Sequence, residues 1–134
     1  MTKDEYDKKH DELKIYMETY KDHFSLFIKG MMIYFAILGA LTGYIYREGM
    51  NQESKYAVSL FIISISVIVM FGCFLSLKWL ASIKSLVDEI TKAIDYSNFP
   101  FFGAKMVGVL SMVAAILFLI GGIISIYAIK MKIL

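Results

Sequence analysis

Apolar residues recur along most of this chain, and three stretches contain no charged residue. These stretches are Gly30–Tyr46, Tyr56–Leu77 and Met106–Ile129, with 17, 22 and 24 residues. A helix needs about 20 apolar residues to cross the hydrocarbon core of a bilayer. The second and third stretches reach this length, and the first reaches it with residues 24–28 if Lys29 extends its ammonium group to the interface. The pattern predicts transmembrane helices at residues 24–46, 56–79 and 104–129.

A heptad pattern joins the charged N-terminal segment, residues 1–23, to the first span without a proline or a change of phase. Its positions are Tyr6, Leu13, Tyr20, Phe27, Tyr34 and Leu41, and, four residues after each, His10, Met17, Phe24, Met31, Leu38 and Ile45. Such a seam is typical of a coiled coil that holds one face against a partner helix. We expect residues 3–46 to form one helix about 65 Å long. The alternative is a separate amphipathic helix hinged at Lys29–Gly30.

A second amphipathic segment, residues 80–97, lies between the second and third spans. Its apolar stripe consists of Leu80, Ile83, Val87, Ile90 and Ile94. The segment either extends the second span into the cytosol or lies flat at the membrane surface. Asn98-Phe99-Pro100 is expected to end it, because proline disfavours helix at the preceding residue. The predicted fold class is an all-α membrane protein with three transmembrane helices, the first continuous with a long N-terminal helix, and an amphipathic helix between spans two and three.

The composition agrees with a membrane protein and excludes several classes of function. The chain has 134 residues, of which 58% are hydrophobic and 19% charged, whereas soluble domains average about 45–50% apolar and about a quarter charged. This balance excludes a soluble enzyme, a secreted disulfide scaffold and an ordinary DNA-binding domain. Cys73 is the single cysteine, so no disulfide forms within the chain.

The distribution of lysine and arginine predicts the orientation. The N-terminal segment up to Lys29 and the connection from Lys78 to Lys105 lie on one side of the membrane and hold ten lysines. The other side holds four basic residues: Arg47, Lys55, Lys130 and Lys132. Because cytoplasmic loops are enriched in lysine and arginine, the N-terminus is expected in the cytoplasm and the C-terminus outside, in a bacterial inner membrane.

No residue pattern indicates catalysis or metal binding. The three charge-free stretches contain no acid and no histidine, whereas a coupled transporter is expected to bury an ionisable group near the midplane. A phosphate-binding loop, an HExxH motif, paired cysteines and a Ser-His-Asp constellation are all missing from the sequence. We therefore expect no enzyme activity, no cofactor and no metal site.

Small residues are spaced for close helix contact in all three spans. The candidate packing positions are Gly39, Gly43, Gly72, Gly108, Ala115 and Gly122. Faces of this kind let helix backbones approach each other in lipid. The contacts are made either within one three-helix bundle or between protomers, and we expect a homo-oligomer.

Hydroxyl side chains are the candidates for a polar path. Ser59 and Ser66 lie one heptad apart on the second span, and Ser111 lies on the third. They would border a pore. The alternative is that each hydroxyl bonds to the backbone of its own helix, as serine commonly does in membrane helices.

One edge of the N-terminal helix is a candidate anion site. Lys3, His10, Lys14 and Lys21 follow each other at spacings of seven, four and seven residues. In a symmetric oligomer these edges would converge into a ring that binds a nucleotide or oligonucleotide. The alternative is that the lysines pair with carboxylates across the seam. The segment carries five lysines and seven acids, which disfavours a general nucleic-acid arm.

The architecture as a whole resembles the small transmembrane effectors of bacterial anti-phage defence systems. The features that carry the resemblance are a charged helical arm, three spans and no catalytic motif; no residue motif contributes to it. The resemblance implies a membrane subunit that opens a pore or disrupts the membrane in response to a nucleotide or oligonucleotide signal made by a partner. The expected binding partner is therefore such a ligand or a cytoplasmic protein. Holins and colicin immunity proteins share the size range, so a lysis pore and a non-conducting interaction protein remain alternatives.

Overall fold

Three helices account for the structure, a computed structural model that describes residues 1–94 and 101–134. They are α1 (Lys3–Ile45), α2 (Gln52–Ile94) and α3 (Phe101–Lys130). Each contains a stretch long and apolar enough to cross a membrane. The prediction of an all-α protein with three such helices is confirmed. The end of the amphipathic segment, residues 95–97, and the expected stop at Asn98-Phe99-Pro100 lie outside the described residues.

Helix α1 is continuous across the boundary between its charged and apolar halves. A capping box starts it: the Glu5 amide donates to Thr2 Oγ1 over 3.3 Å, and the Thr2 amide donates to Glu5 Oε2 over 2.9 Å. The helix then runs through Lys29 and Gly30 without interruption. The single-helix prediction is confirmed and the hinge alternative is wrong, because no residue in this stretch breaks the backbone hydrogen bonds.

A short turn reverses the chain after α1. The Arg47 amide donates to the Tyr44 carbonyl, and Gly49 has a φ of 78°, a left-handed conformation that glycine adopts without strain. The Asn51 side chain then accepts a hydrogen bond from the Glu53 amide over 2.9 Å, which caps the start of α2.

Helix α2 is longer than the predicted second span. It does not end at Trp79 but continues to Ile94, so residues 80–94 extend the second apolar helix and form no separate amphipathic helix. Of the two arrangements expected for this segment, the structure shows the extension and not the flat-lying one. Helix α3 begins at Phe101, three residues before the predicted start of the third span, and ends at Lys130.

The helices alternate in direction and enclose two cores. The larger core joins all three helices and includes Leu38, Ile62 and Ala115. The smaller core joins only α1 and α2, around Leu13, Ile83 and Val87. We call the part with all three helices the bundle, and the part formed by residues 3–23 of α1 and 80–94 of α2 the stem. At 1.5 Å per residue α1 and α2 are each about 65 Å long and α3 about 45 Å, so only the longer pair spans both parts.

The outer surface of the bundle is strongly apolar. Leu26, Phe71 and Leu117 are 72%, 63% and 64% exposed, and many other large apolar side chains face outwards. A soluble protein rarely carries a continuous apolar surface of this size. Together with the three long apolar helices, this surface fits a multi-pass membrane protein.

Candidate functional site

The buried face of α2 carries small and polar side chains beside Ile62 where it passes through the bundle. Lys55, Ser59, Ser66 and Cys73 are all buried and lie at spacings of four, seven and seven residues. In the stem the same face continues with large apolar residues, among them Val87. Small side chains let the neighbouring helices approach closely, which is how helices pack in lipid.

A hydrogen bond links α1 and α2 inside the bundle. The Tyr34 hydroxyl lies 3.2 Å from Ser66 Oγ, and both residues are almost fully buried. The Tyr34 ring also contacts Phe118 of α3 edge-on, with ring centroids 6.2 Å apart. Tyr34 therefore touches both of the other helices from the middle of the first apolar stretch.

The three serines expected to border a pore lie inside a single chain. Ser59 donates to the Lys55 carbonyl over 2.9 Å, Ser66 bonds to Tyr34, and Ser111 is buried on α3. Ser125 likewise donates to a carbonyl of its own helix, that of Gly121. A path bordered by Ser59, Ser66 and Ser111 would have to pass through the bundle of one protomer.

Lys55 is buried at the end of the bundle opposite the stem. Its side chain is 6% exposed, and its Nζ donates to the Leu134 carbonyl over 3.0 Å. A C-terminal turn brings Leu134 to this position, because the amides of Ile133 and Leu134 both donate to the Ala128 carbonyl. In the sequence Lys55 contributes only to the count of basic residues on one side of the membrane, although it lies one helical turn before Ser59 on the same face.

The six small-residue positions divide into two groups. Gly108, Ala115 and Gly122 are buried within the chain, where α3 packs on α2. A Cβ atom added to Gly108 would lie 2.7 Å from Leu77 Cδ2, and one added to Gly122 would lie 2.8 Å from Ile63 Cγ1. The others are exposed on the outer surface, with nothing within 4 Å of an added Cβ atom: Gly39, Gly43 and Gly72.

An open groove separates α1 from α3 in the half of the bundle away from the stem. It has a volume of about 380 Å³, and its walls include Thr42, Leu117 and Phe118. Gly121 and Ser125 line the same groove from α3. The groove leaves part of the inner face of α3 open to the surroundings of the bundle.

The proposed anion edge lies on the surface of the stem. Lys3, His10, Lys14 and Lys21 are all exposed on α1, and the His10 ring stacks on Tyr6 with centroids 6.4 Å apart. A cleft of about 230 Å³ between the two stem helices is lined instead by other residues, namely Lys9, Glu12, Tyr16, Leu86, Glu89 and Ile90. A single protomer therefore does not gather the four predicted residues into a pocket.

The junction of stem and bundle holds a feature that the sequence analysis missed. His23 of α1 packs against Trp79 of α2, with ring centroids 4.1 Å apart. His23 Nε2 is buried and has no hydrogen-bond partner in the described part of the chain. Both rings line a cavity of about 30 Å³, together with Gly108 of α3. The signal available in the sequence was Trp79 at the end of the second predicted span, with His23 immediately before the first.

Comparisons with known proteins gave no match, whether to a protein family, to an individual protein or to a solved structure.

Proposed function

We propose that this protein is a homo-oligomeric membrane effector that permeabilises a bacterial inner membrane and is gated through its stem. The stem lies in the cytoplasm, together with the N-terminus, and the C-terminus lies outside. The lysine and arginine distribution supports this orientation. The signal is a nucleotide or oligonucleotide, or a cytoplasmic protein partner, as in anti-phage defence.

The continuity of α1 and α2 is the observation that carries this proposal. Both helices pass from the stem into the bundle as single helices of 43 residues, and they pack on each other in both parts. A rotation or separation of the helices in the stem is therefore transmitted to the first two spans, because no loop between the parts absorbs it. A domain that merely aided solubility would not need this rigid connection.

The outer glycines support assembly of several copies. Gly39 and Gly43 form one open small-residue face on α1, and Gly72 another on α2. A backbone of a second copy can approach such faces closely. Since Ser59, Ser66 and Ser111 are enclosed within one protomer, we place the conducting path between protomers in the open state, beside the groove between α1 and α3.

Assembly is tested by adding bulk to this face. We expect Gly39→Leu and Gly43→Leu to lower the oligomer mass of the purified protein in mild detergent, measured by light scattering. Ala40→Leu adds comparable bulk at an exposed neighbouring position and serves as the control. An unchanged mass for both glycine variants, with the helical content retained, would contradict assembly through this face.

Gating is tested with a matched pair of stem variants during induced expression in bacteria, with membrane potential followed by a voltage-sensitive dye. Leu13→Glu places a charge in the stem core, where Leu13 is 2% exposed, whereas Ile15→Glu places the same charge where the side chain is 61% exposed. We expect Leu13→Glu to change depolarisation, either to constitutive or to absent, and Ile15→Glu to behave as the unmodified protein. Equal behaviour of both variants would contradict gating through the stem.

A non-conducting interaction protein is the second candidate, and the hydrogen bonds of two bundle serines to their own helices favour it. Ser59 and Ser125 satisfy their hydroxyls on their own helices, which leaves them no need for water. If neither the unmodified protein nor Leu13→Glu depolarises cells, while Gly39→Leu removes an association with another membrane protein, this second function is favoured over the first.

A further inference from the structure

The contact of His23 with Trp79 lies at the junction of the stem and the bundle, beside residues of all three helices. Trp79 packs against the core of the stem, and Leu77 and Gly108, which line the cavity beside it, belong to the bundle. A change in this contact acts on the stem and the bundle together.

We propose that His23 is a proton-binding switch: protonation of its imidazole separates α1 from α2 at the junction of stem and bundle. That this switch controls membrane permeability rests on the proposed function. That protonation of His23 separates the two helices does not depend on it.

The physical reason for the switch is that His23 Nε2 has no hydrogen-bond partner among the described residues. Histidine is the side chain that gains a charge between about pH 8 and pH 5. In the neutral ring, a buried Nε2 without a partner leaves one acceptor or donor unsatisfied. In the protonated ring both nitrogens carry a proton, so Nε2 presents a charged N–H that contacts no acceptor among the described residues. The closed junction is therefore favoured when the His23 ring is neutral and loses stability when the ring is protonated.

The surroundings of the ring do not supply a compensating charge. The described residues that line the cavity include no carboxylate and no lysine or arginine. The neighbouring charged residues are exposed, namely Asp22 on α1, Lys78 on α2 and Lys105 on α3. Burial raises the pKa of the Tyr20 phenol, the other titratable group of the lining, so it stays neutral between pH 8 and pH 5. The face of Trp79 attracts an imidazolium ring, but it accepts no conventional hydrogen bond from the N–H.

Water provides the route by which the junction opens. A cavity needs about 10–15 Å³ to hold one water molecule, and this one measures about 30 Å³. A water molecule that accepts from Nε2 must be hydrated in turn, and Ser76 is among the few polar side chains of the lining. When the His23 and Trp79 rings move apart, further water hydrates the charged N–H, and α1 separates from α2.

The experiment uses two properties of the chain: Trp79 is its single tryptophan, and His10 and His23 are its two histidines. Protonated imidazole quenches indole fluorescence on contact, and separation of the rings exposes the indole to water. The purified protein in lipid nanodiscs is titrated from about pH 8 to pH 5 while Trp79 emission is recorded. In parallel, spin labels on Glu12→Cys and Glu89→Cys, in a Cys73→Ala background, report the distance between the two stem helices.

We expect a reversible change in Trp79 emission and a broader distance distribution at low pH in the unmodified protein and in His10→Gln. His23→Gln is expected to show neither response. His23→Phe keeps an aromatic ring against Trp79 without an ionisable nitrogen, and it replaces His23→Gln if that variant does not fold. The inference is overturned if the unmodified protein does not respond, or if both His23 variants respond as it does. Neither readout requires conduction, so a protein that never depolarises cells contradicts the proposed function and leaves this test intact.

Discussion

The stem and the bundle use the same two helices but pack them with different side chains. In the stem, α1 and α2 meet through Leu13, Ile83 and Val87, which are large and apolar. In the bundle, α2 turns Ser59 and Ser66 towards its neighbours, and α3 approaches through glycine and alanine. Burial of apolar surface drives association in water but not between helices already dissolved in lipid, where close backbone contact and hydrogen bonds take its place. The change of packing along one helix pair therefore agrees with a stem in water and a bundle in the membrane.

The largest expected effect comes from truncating the stem core. Leu13→Ala should cost about 2–5 kcal/mol, because it removes buried methyl groups and leaves a cavity. Since the stem forms a core of its own, the loss should appear as faster hydrogen exchange in residues 3–23 and 80–94 and leave the bundle amides protected. Ile15→Ala, at an exposed position, is the control. Equal acceleration throughout the bundle would show that the two parts unfold as one unit.

A somewhat smaller loss of stability is expected from adding a bulky side chain where α3 packs on α2. Gly122→Leu introduces a side chain where even a Cβ atom would lie 2.8 Å from Ile63 Cγ1, and overpacking of this kind costs about 1–3 kcal/mol. Unfolding in a denaturing detergent, followed by circular dichroism, measures it. Gly121→Leu is the matched control, since nothing lies within 4 Å of an added Cβ atom there. If both variants unfold at the same detergent fraction, α3 does not pack as described.

The smallest expected effect concerns the hydrogen bond inside the bundle. Tyr34→Phe removes the hydroxyl that contacts Ser66 and keeps the ring, and hydrogen bonds between membrane helices contribute about 0.6 kcal/mol on average. The same detergent titration should show a slight loss of stability, with Tyr46→Phe, at an exposed position, unchanged. A loss larger than that of Gly122→Leu would mean that polar contacts, and not close packing, dominate the bundle.

The sequence by itself determined the helices and their apolar stretches. Hydropathy and the absence of proline from residues 3–46 are local properties, and backbone hydrogen bonds within a helix join residues only four positions apart. The heptad positions also predicted much of the buried face of α1, since Leu13, Tyr34 and Leu38 are buried, whereas Tyr6 and His10 are exposed. The spacing of apolar residues after Trp79 likewise predicted a helix. No pattern within that segment showed that this helix is a continuation of α2.

The tertiary structure alone decided which faces meet. The same spacing of small residues gives an inner face at Gly108 and Gly122 and an outer face at Gly39 and Gly43, and the sequence does not distinguish them. The contact of His23 with Trp79 likewise depends on the relative register of two long antiparallel helices. That register is the sum of many weak contacts along both helices and of the turn that joins them. No short stretch of sequence contains this sum, because each contact involves residues far apart in the chain.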